Sequence, residues 1–142
     1  MGMSLTATSR SVSGTLRHEI VVGGRFHICT DEPARLGGED TAPAPHELLV
    51  AALASCVSTT VAMYARVKGW ELGEIVVEAD YDPAAAPRRC TVAIRIERDL
   101  SPAQLARLEK VAASCPVRRS IEAGIVFDER IEGGARAKPE AA

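Results

Sequence analysis

Apolar and polar positions alternate from Gly14 to Asp31. Leu16, His18, Ile20 and Val22 share one face of this stretch, and Phe26, Ile28 and Thr30 share another. A period of two is the signature of a half-buried strand. Gly23-Gly24, between the runs, is a two-residue hairpin signal, so two antiparallel strands are expected. Residues 32–45 hold Gly37-Gly38, Pro43 and Pro45 and predict an irregular loop. The pattern then changes. Leu48 to Ala65 is an uncharged run of 18 residues, and Gly69, just after Lys68, is placed to cap a helix C-terminally. Ile75–Tyr81 and Cys90–Ile96 alternate again and predict two strands, separated by a turn between Pro83 and Pro87. Ser101-Pro102-Ala103-Gln104 is a capping box with proline at the first helical position. The helix it opens carries Leu105, Leu108, Val111 and Ala112 on one face and should end near Cys115, because Pro116 disfavours helical geometry there. A short helix from Pro116 to Gly124 and a last strand, Ile125–Ile131, complete the expected order.

The uncharged run changes the picture most. Eighteen residues reach the lower edge of a membrane span, but this run holds Ser55, Ser58, Thr59 and Thr60 and only three leucines. A helix that is apolar all round can instead be buried in protein. A chain of 142 residues has little material to surround about six helical turns, so burial against a second subunit is expected and a membrane span is not. The length fits one domain, read here as residues 14–132, with a flexible N-terminus (1–13) and a flexible C-terminal tail (133–142). Seventeen basic against 19 acidic residues leave no positive excess for nucleic acid or an anionic bilayer. The first residues lack the apolar core of a secretory signal, so a reducing, cytoplasmic compartment is expected.

That compartment bears on the four cysteines, at 29, 56, 90 and 115. No CxxC pair and no cysteine–histidine spacing of zinc type occurs, so no metal or other cofactor is expected. Cys29 and Cys90 lie in strands and read as packing residues. Cys56 sits in the middle of the long helix, where a small apolar role is common and where a thiolate would need a nearby cation. Cys115 precedes Pro116 at a helix start, with Arg118 and Arg119 close by. Free N–H groups and the helix dipole favour a thiolate there, and position alone makes Cys115 the more acidic thiol.

Two segments together resemble the OsmC/Ohr family, in its broader OsmC-like branch. Pro45-His46-Glu47-Leu48 leading to Cys56 looks like that family's Pro-x-Glu-Leu segment before its first cysteine, and Cys115-Pro116-Val117 looks like its second-cysteine motif. The order of elements between them also matches. The resemblance implies an α+β fold with antiparallel sheets around a long buried central helix, and an intertwined homodimer with active sites at the subunit interface. It implies a thiol-dependent peroxidase acting on organic hydroperoxides, with hydrogen peroxide as a further candidate substrate. Cys56 would attack the peroxide, Cys115 would resolve, and an external dithiol would be the reductant. The family's Glu and Arg are matched by Glu47 and Arg35. Its hydroperoxide branch has Glu directly after the proline, where this chain has His46, and Arg35 needs a one-residue shift, so His46, Arg17 and Arg25 stay open as alternatives. The other reading of the same residues is an OsmC-like thiol protein that binds or senses a small reactive molecule without efficient turnover.

Overall fold

The computed structural model describes residues 2 and 4–134; the tail expected from 133 onward lies, from 135, outside the described residues. The N-terminal alternation forms β2 (His18–Val22) and β3 (Phe26–Thr30), antiparallel and in the register His18↔Thr30 to Val22↔Phe26. The connecting loop holds three residues, one more than the sequence suggested, and Gly23 and Gly24 take positive φ values of 59° and 71° there. Residues Ala7–Ser11, expected within a frayed terminus, form β1 and pair with the other edge of β2. All five are exposed and none has a large apolar side chain, which suits a solvated edge strand.

The loop after β3 is irregular as expected, apart from one 3₁₀ turn at Ala34–Leu36. Its anchor is Asp31, which is buried. The Asp31 carboxylate accepts hydrogen bonds from the Glu32 N–H (2.8 Å), the Thr41 N–H (3.1 Å) and the Thr41 hydroxyl (2.8 Å). The Thr41 hydroxyl and the backbone N–H bonds hold this carboxyl below its ordinary value against the opposing effect of burial. Arg17 reaches across to Thr41 at 2.8 Å and ties the hairpin to the same loop. A side chain at Gly38 would collide with the Glu32 carbonyl, so the loop closes only over glycine.

The uncharged run lies within α1 (Pro45–Lys68). Glu47 accepts the Ala44 N–H at 2.8 Å, proline stands in the first turn, and Gly69 (φ 67°) ends the helix. Its buried residues are Leu53, Val57, Val61 and Ala65, one stripe at four-residue spacing. The helix is therefore central but not enclosed by its own chain, because β4 (Ile75–Asp82), β5 (Arg89–Ile96), α2 (Pro102–Ala113) and α3 (Pro116–Ala123) supply cover on one side only. β4 and β5 pair in a two-stranded antiparallel sheet from Ile75↔Ile96 to Asp82↔Arg89, with a bidentate Arg95–Glu78 pair (2.8 and 3.0 Å) on the outside.

The capping box forms as expected. The Ser101 hydroxyl accepts the Gln104 N–H at 3.1 Å, and the Gln104 amide oxygen accepts the Ser101 N–H at 2.9 Å. α2 turns Leu108, Val111 and Ala112 inward, while Leu105, expected on the same face, is exposed. The core joins the α1 stripe to Leu72, Leu108, Ala112 and Cys115, with Ile75, Val77, Ile94 and Ile96 of the sheet packed against it. The expected last strand is a correction. Residues 125–131 form no strand, and Ile125, Val126, Phe127 and Ile131 are exposed. Strand geometry requires a hydrogen-bonded neighbour, and 125–131 pairs with neither sheet of this chain.

Candidate active site

The fold brings Cys56 and Cys115 together. Cys56 lies near the midpoint of α1, partly buried beside the core. Cys115 is the residue that caps α3 and is fully buried. α2 delivers it: Leu108, Val111 and Ala112 fix that helix on α1, and the chain turns at Ser114, whose hydroxyl bonds back to the Val111 carbonyl at 2.6 Å. Pro116 then starts α3 with its first N–H groups facing the sulfurs, since a helix start leaves its leading N–H groups without intrahelical partners.

The two thiols are driven in opposite directions. Burial pushes the Cys56 thiol up, but the Cys115 thiol, the Val117 N–H and the Thr60 hydroxyl outweigh it and leave Cys56 below the ordinary thiol value. Burial also pushes Cys115 up. The Arg118 and Val117 N–H groups pull it down, the neighbouring Cys56 raises it again, and the net displacement is upward. Cys56 is therefore the more acidic thiol. This reverses the order that sequence position alone gave, because the N-terminus of α3 serves a sulfur from another helix as well as its own cap. Arg118 acts through its backbone; its guanidinium is engaged by Glu122 at 2.6 Å.

Thr60 and the N–H groups of Val117 and Arg118 were not singled out from sequence. A signal for Thr60 existed in its four-residue spacing from Cys56, which stacks the two on one helix face. The Thr60 hydroxyl also donates to the Cys56 carbonyl at 2.8 Å. Thr60→Val keeps the shape and removes the hydroxyl, so the pH midpoint for alkylation of Cys56 should move upward; an unchanged midpoint would exclude Thr60 from the thiolate's support.

Glu47 and Arg35 lie elsewhere in this chain. Nine residues at about 100° each put Glu47 on the opposite side of α1 from Cys56, and about 13 Å away along the axis. Glu47 and Arg35 line a cavity of about 820 Å³ between the 32–44 loop, α1 and β4, together with Asp40, His46, Asp80 and Tyr81. His46 packs its ring 6.2 Å from that of Tyr81. Neither thiol lines this cavity. Arg17 is held by Thr41, and Arg25 sits over the Phe26 ring at 4.5 Å. Cys90 is exposed on β5, beside a second cavity of about 730 Å³ floored by Leu53, Val57 and Ala112. Among the described residues, no group of three or more His, Cys, Asp or Glu side chains is arranged to hold a metal ion.

An α+β scaffold that holds two thiols of unlike acidity against one helix start defines a dithiol protein. The family model for OsmC-like protein matches residues 37–130. The chain belongs to the OsmC-like family. No curated protein matches it. Among solved structures it is similar to a Psychrobacter arcticus protein assigned to osmotic stress induction and detoxification response, with 28% identity over 84% of this chain and 88% of that chain and a TM-score of 0.69. An OsmC-like protein from Mycoplasma pneumoniae shares the fold at 15% identity, covering 86% and 89% of the two chains with a TM-score of 0.71. The organic hydroperoxide resistance protein OhrB of Bacillus subtilis does so at 19% identity, covering 82% and 89% with a TM-score of 0.55.

Proposed function

We propose that this chain is a thiol-dependent peroxidase that reduces organic hydroperoxides through Cys56 and Cys115. The observation that carries the reading is that Cys56 packs against the core cluster that holds Cys115, close enough for each thiol to shift the other, with Cys56 displaced toward acidity and Cys115 away from it and the more buried. The Cys56 thiolate attacks the terminal oxygen of ROOH, the O–O bond breaks, and the alkoxide leaves and takes up a proton as ROH, giving a sulfenic acid on Cys56. The Cys115 sulfur, after losing its proton, attacks that sulfenic sulfur, water leaves, and a disulfide forms. An external dithiol, oxidised in turn, restores both thiols. In this reading the protein acts in the reducing cytoplasm as a homodimer. The Val117 N–H, the Thr60 hydroxyl and the Cys115 thiol support the thiolate. Glu47 and Arg35 of the same chain do not, because they face the other side of α1.

That last feature also favours the second reading, a dithiol protein that senses or binds a reactive molecule with slow turnover. Peroxide consumption with a dithiol donor, comparing hydrogen peroxide with a bulky organic hydroperoxide, separates the two. Catalytic turnover of the organic substrate is expected. Stoichiometric oxidation that stops after one equivalent would select the sensor. Peptide mapping after one equivalent should find Cys56 joined to Cys115, with Cys29 and Cys90 reduced. A dominant bridge through either of those would remove the peroxidase assignment.

A further inference from the structure

β5 runs past the core that it helps to build. Cys90, Val92, Ile94 and Ile96 alternate onto one face of the strand. Ile94 and Ile96 pack against the core, whereas Val92 is 41% exposed and Cys90 is open as well. The gap in front of those two residues is the cavity of about 730 Å³. Leu53 and Val57 of α1 form its floor, β5 forms one wall, and α2 and α3 close the other side, where Ile121 is 49% exposed. The volume falls in the range of about 300–1,000 Å³ that small-molecule sites occupy. Val92 and Ile121 hold apolar area in water that an apolar body in the cavity would cover, which favours binding.

The rim of this cavity is charged. Arg88, Arg89 and Arg118 line it together with Glu109 and Glu122. Arg118 and Glu122 neutralise each other at 2.6 Å. Neither Arg88 nor Arg89 has a carboxylate partner among the described residues. Arg88 donates only its Nε–H, to the Pro83 carbonyl at 3.4 Å, so its terminal N–H groups stay free. With Glu109 set against one arginine, the rim keeps one positive charge in excess. An apolar floor under such a rim fits one class of small molecule, an apolar body that ends in a single carboxylate. The planar fork of arginine is the side chain best matched to a carboxylate, which it can hold through two parallel hydrogen bonds. A neutral apolar molecule would leave the two guanidinium groups unmatched. A polyanion would leave the floor uncovered and would meet Glu109.

We propose that this cavity is a binding site for a small amphipathic carboxylate, with its apolar body on Leu53, Val57 and Val92 and its carboxylate on Arg88 and Arg89. Neither Cys56 nor Cys115 lines the cavity, so the ligand is bound there and not reduced. α3 stands between the two sites. Its Val117 and Arg118 N–H groups serve the sulfurs, and its Ile121 faces the cavity. The binding site goes beyond the proposed peroxidase and does not depend on thiol chemistry.

The test uses the full chain, reduced and without peroxide, with decanoate as the probe below its micelle-forming concentration. Titration calorimetry should show saturable binding of one decanoate per chain. Decyltrimethylammonium, with a tail of the same length and the opposite charge, should bind more weakly by roughly fivefold or more. The double variant Arg88→Gln/Arg89→Gln should weaken decanoate by a similar factor and keep its thermal midpoint, because both side chains are exposed. Decanoate should slow alkylation of Cys90, which lines the cavity, and leave Cys29 unaffected. Absence of saturable binding would overturn the proposal. So would equal affinity for the two amphiphiles, full affinity in the double variant, or binding that leaves Cys90 unprotected. The Cys56→Ser protein should bind decanoate as the wild type does; loss of binding there would place the ligand at the thiols and overturn the separate site. Since no step involves peroxide, a chain that binds decanoate but lacks peroxidase activity would retain the site and remove only the catalytic reading.

Discussion

Replacing Cys56 by serine should reduce peroxide turnover to background, while replacing Cys115 by serine should leave the first turnover near its wild-type rate. A serine hydroxyl is far too weak an acid to supply a nucleophilic oxyanion in place of the thiolate, so nothing attacks the O–O bond. At position 115 a hydroxyl still donates to the Cys56 sulfur and so keeps one of the contacts that hold that thiol low. It cannot resolve. Cys56 in the Cys115→Ser protein should therefore collect as sulfenic acid and pass to sulfinic acid under excess peroxide. Rapid-quench mass spectrometry on both variants reads this directly. Sulfenic acid forming on Cys115 in the Cys56→Ser protein at the wild-type rate would exchange the two roles. The pH dependence has a definite sign. The Cys56 thiol titrates below the ordinary thiol value, so the first-turnover rate should rise with pH and level off sooner than for an unperturbed thiol.

Leu108→Ala should lower stability by about 3 kcal/mol and the thermal midpoint by roughly 10 °C. Leu108 is 5% exposed and sits where α2 meets the α1 stripe, so its loss leaves a cavity that the backbones of two packed helices cannot easily close. The effect should extend to chemistry. α2 runs directly into Ser114 and Cys115, and a looser α2 lets the capping sulfur drift from Cys56. Differential scanning calorimetry and the rate of disulfide formation after one equivalent of peroxide should both respond. A midpoint change within about 2 °C would mean that the α1–α2 seam is not the principal core.

Much of this was legible in the residues. Alternation set β2 through β5, the capping box set the start of α2 to the residue, and Gly69 and Gly124 ended their helices as glycines do. Each of these signals is local, and local physics was enough to decide it. β1 escaped because Ala7–Ser11 has no apolar alternation; it is a strand because β2 has an edge to fill. The segment 125–131 misled for the opposite reason: it has the pattern and lacks a neighbour within the chain. At the site, Cys56 and Cys115 could be paired only through a family likeness, since their meeting is a tertiary event across 59 residues. Which of the two is more acidic was beyond local reading. The Val117 N–H belongs to the helix that Cys115 opens, yet it also serves a sulfur on α1. Glu47 matched a motif, but its angle around α1 carries it to the far side.

The complete burial of Cys115 bears on how long the oxidised state lasts. A reductant can approach a Cys56–Cys115 disulfide only from the Cys56 side, so the sulfur it must expel is Cys115. A thiol held less acidic than usual is a reluctant leaving group. Small monothiols should therefore reopen such a bridge slowly. A dithiol, whose second sulfur captures the mixed disulfide before it reverts, has the advantage. If the proposed bridge forms, the oxidised protein would be kinetically shielded from the bulk thiol pool, its lifetime set by encounters with one kind of donor.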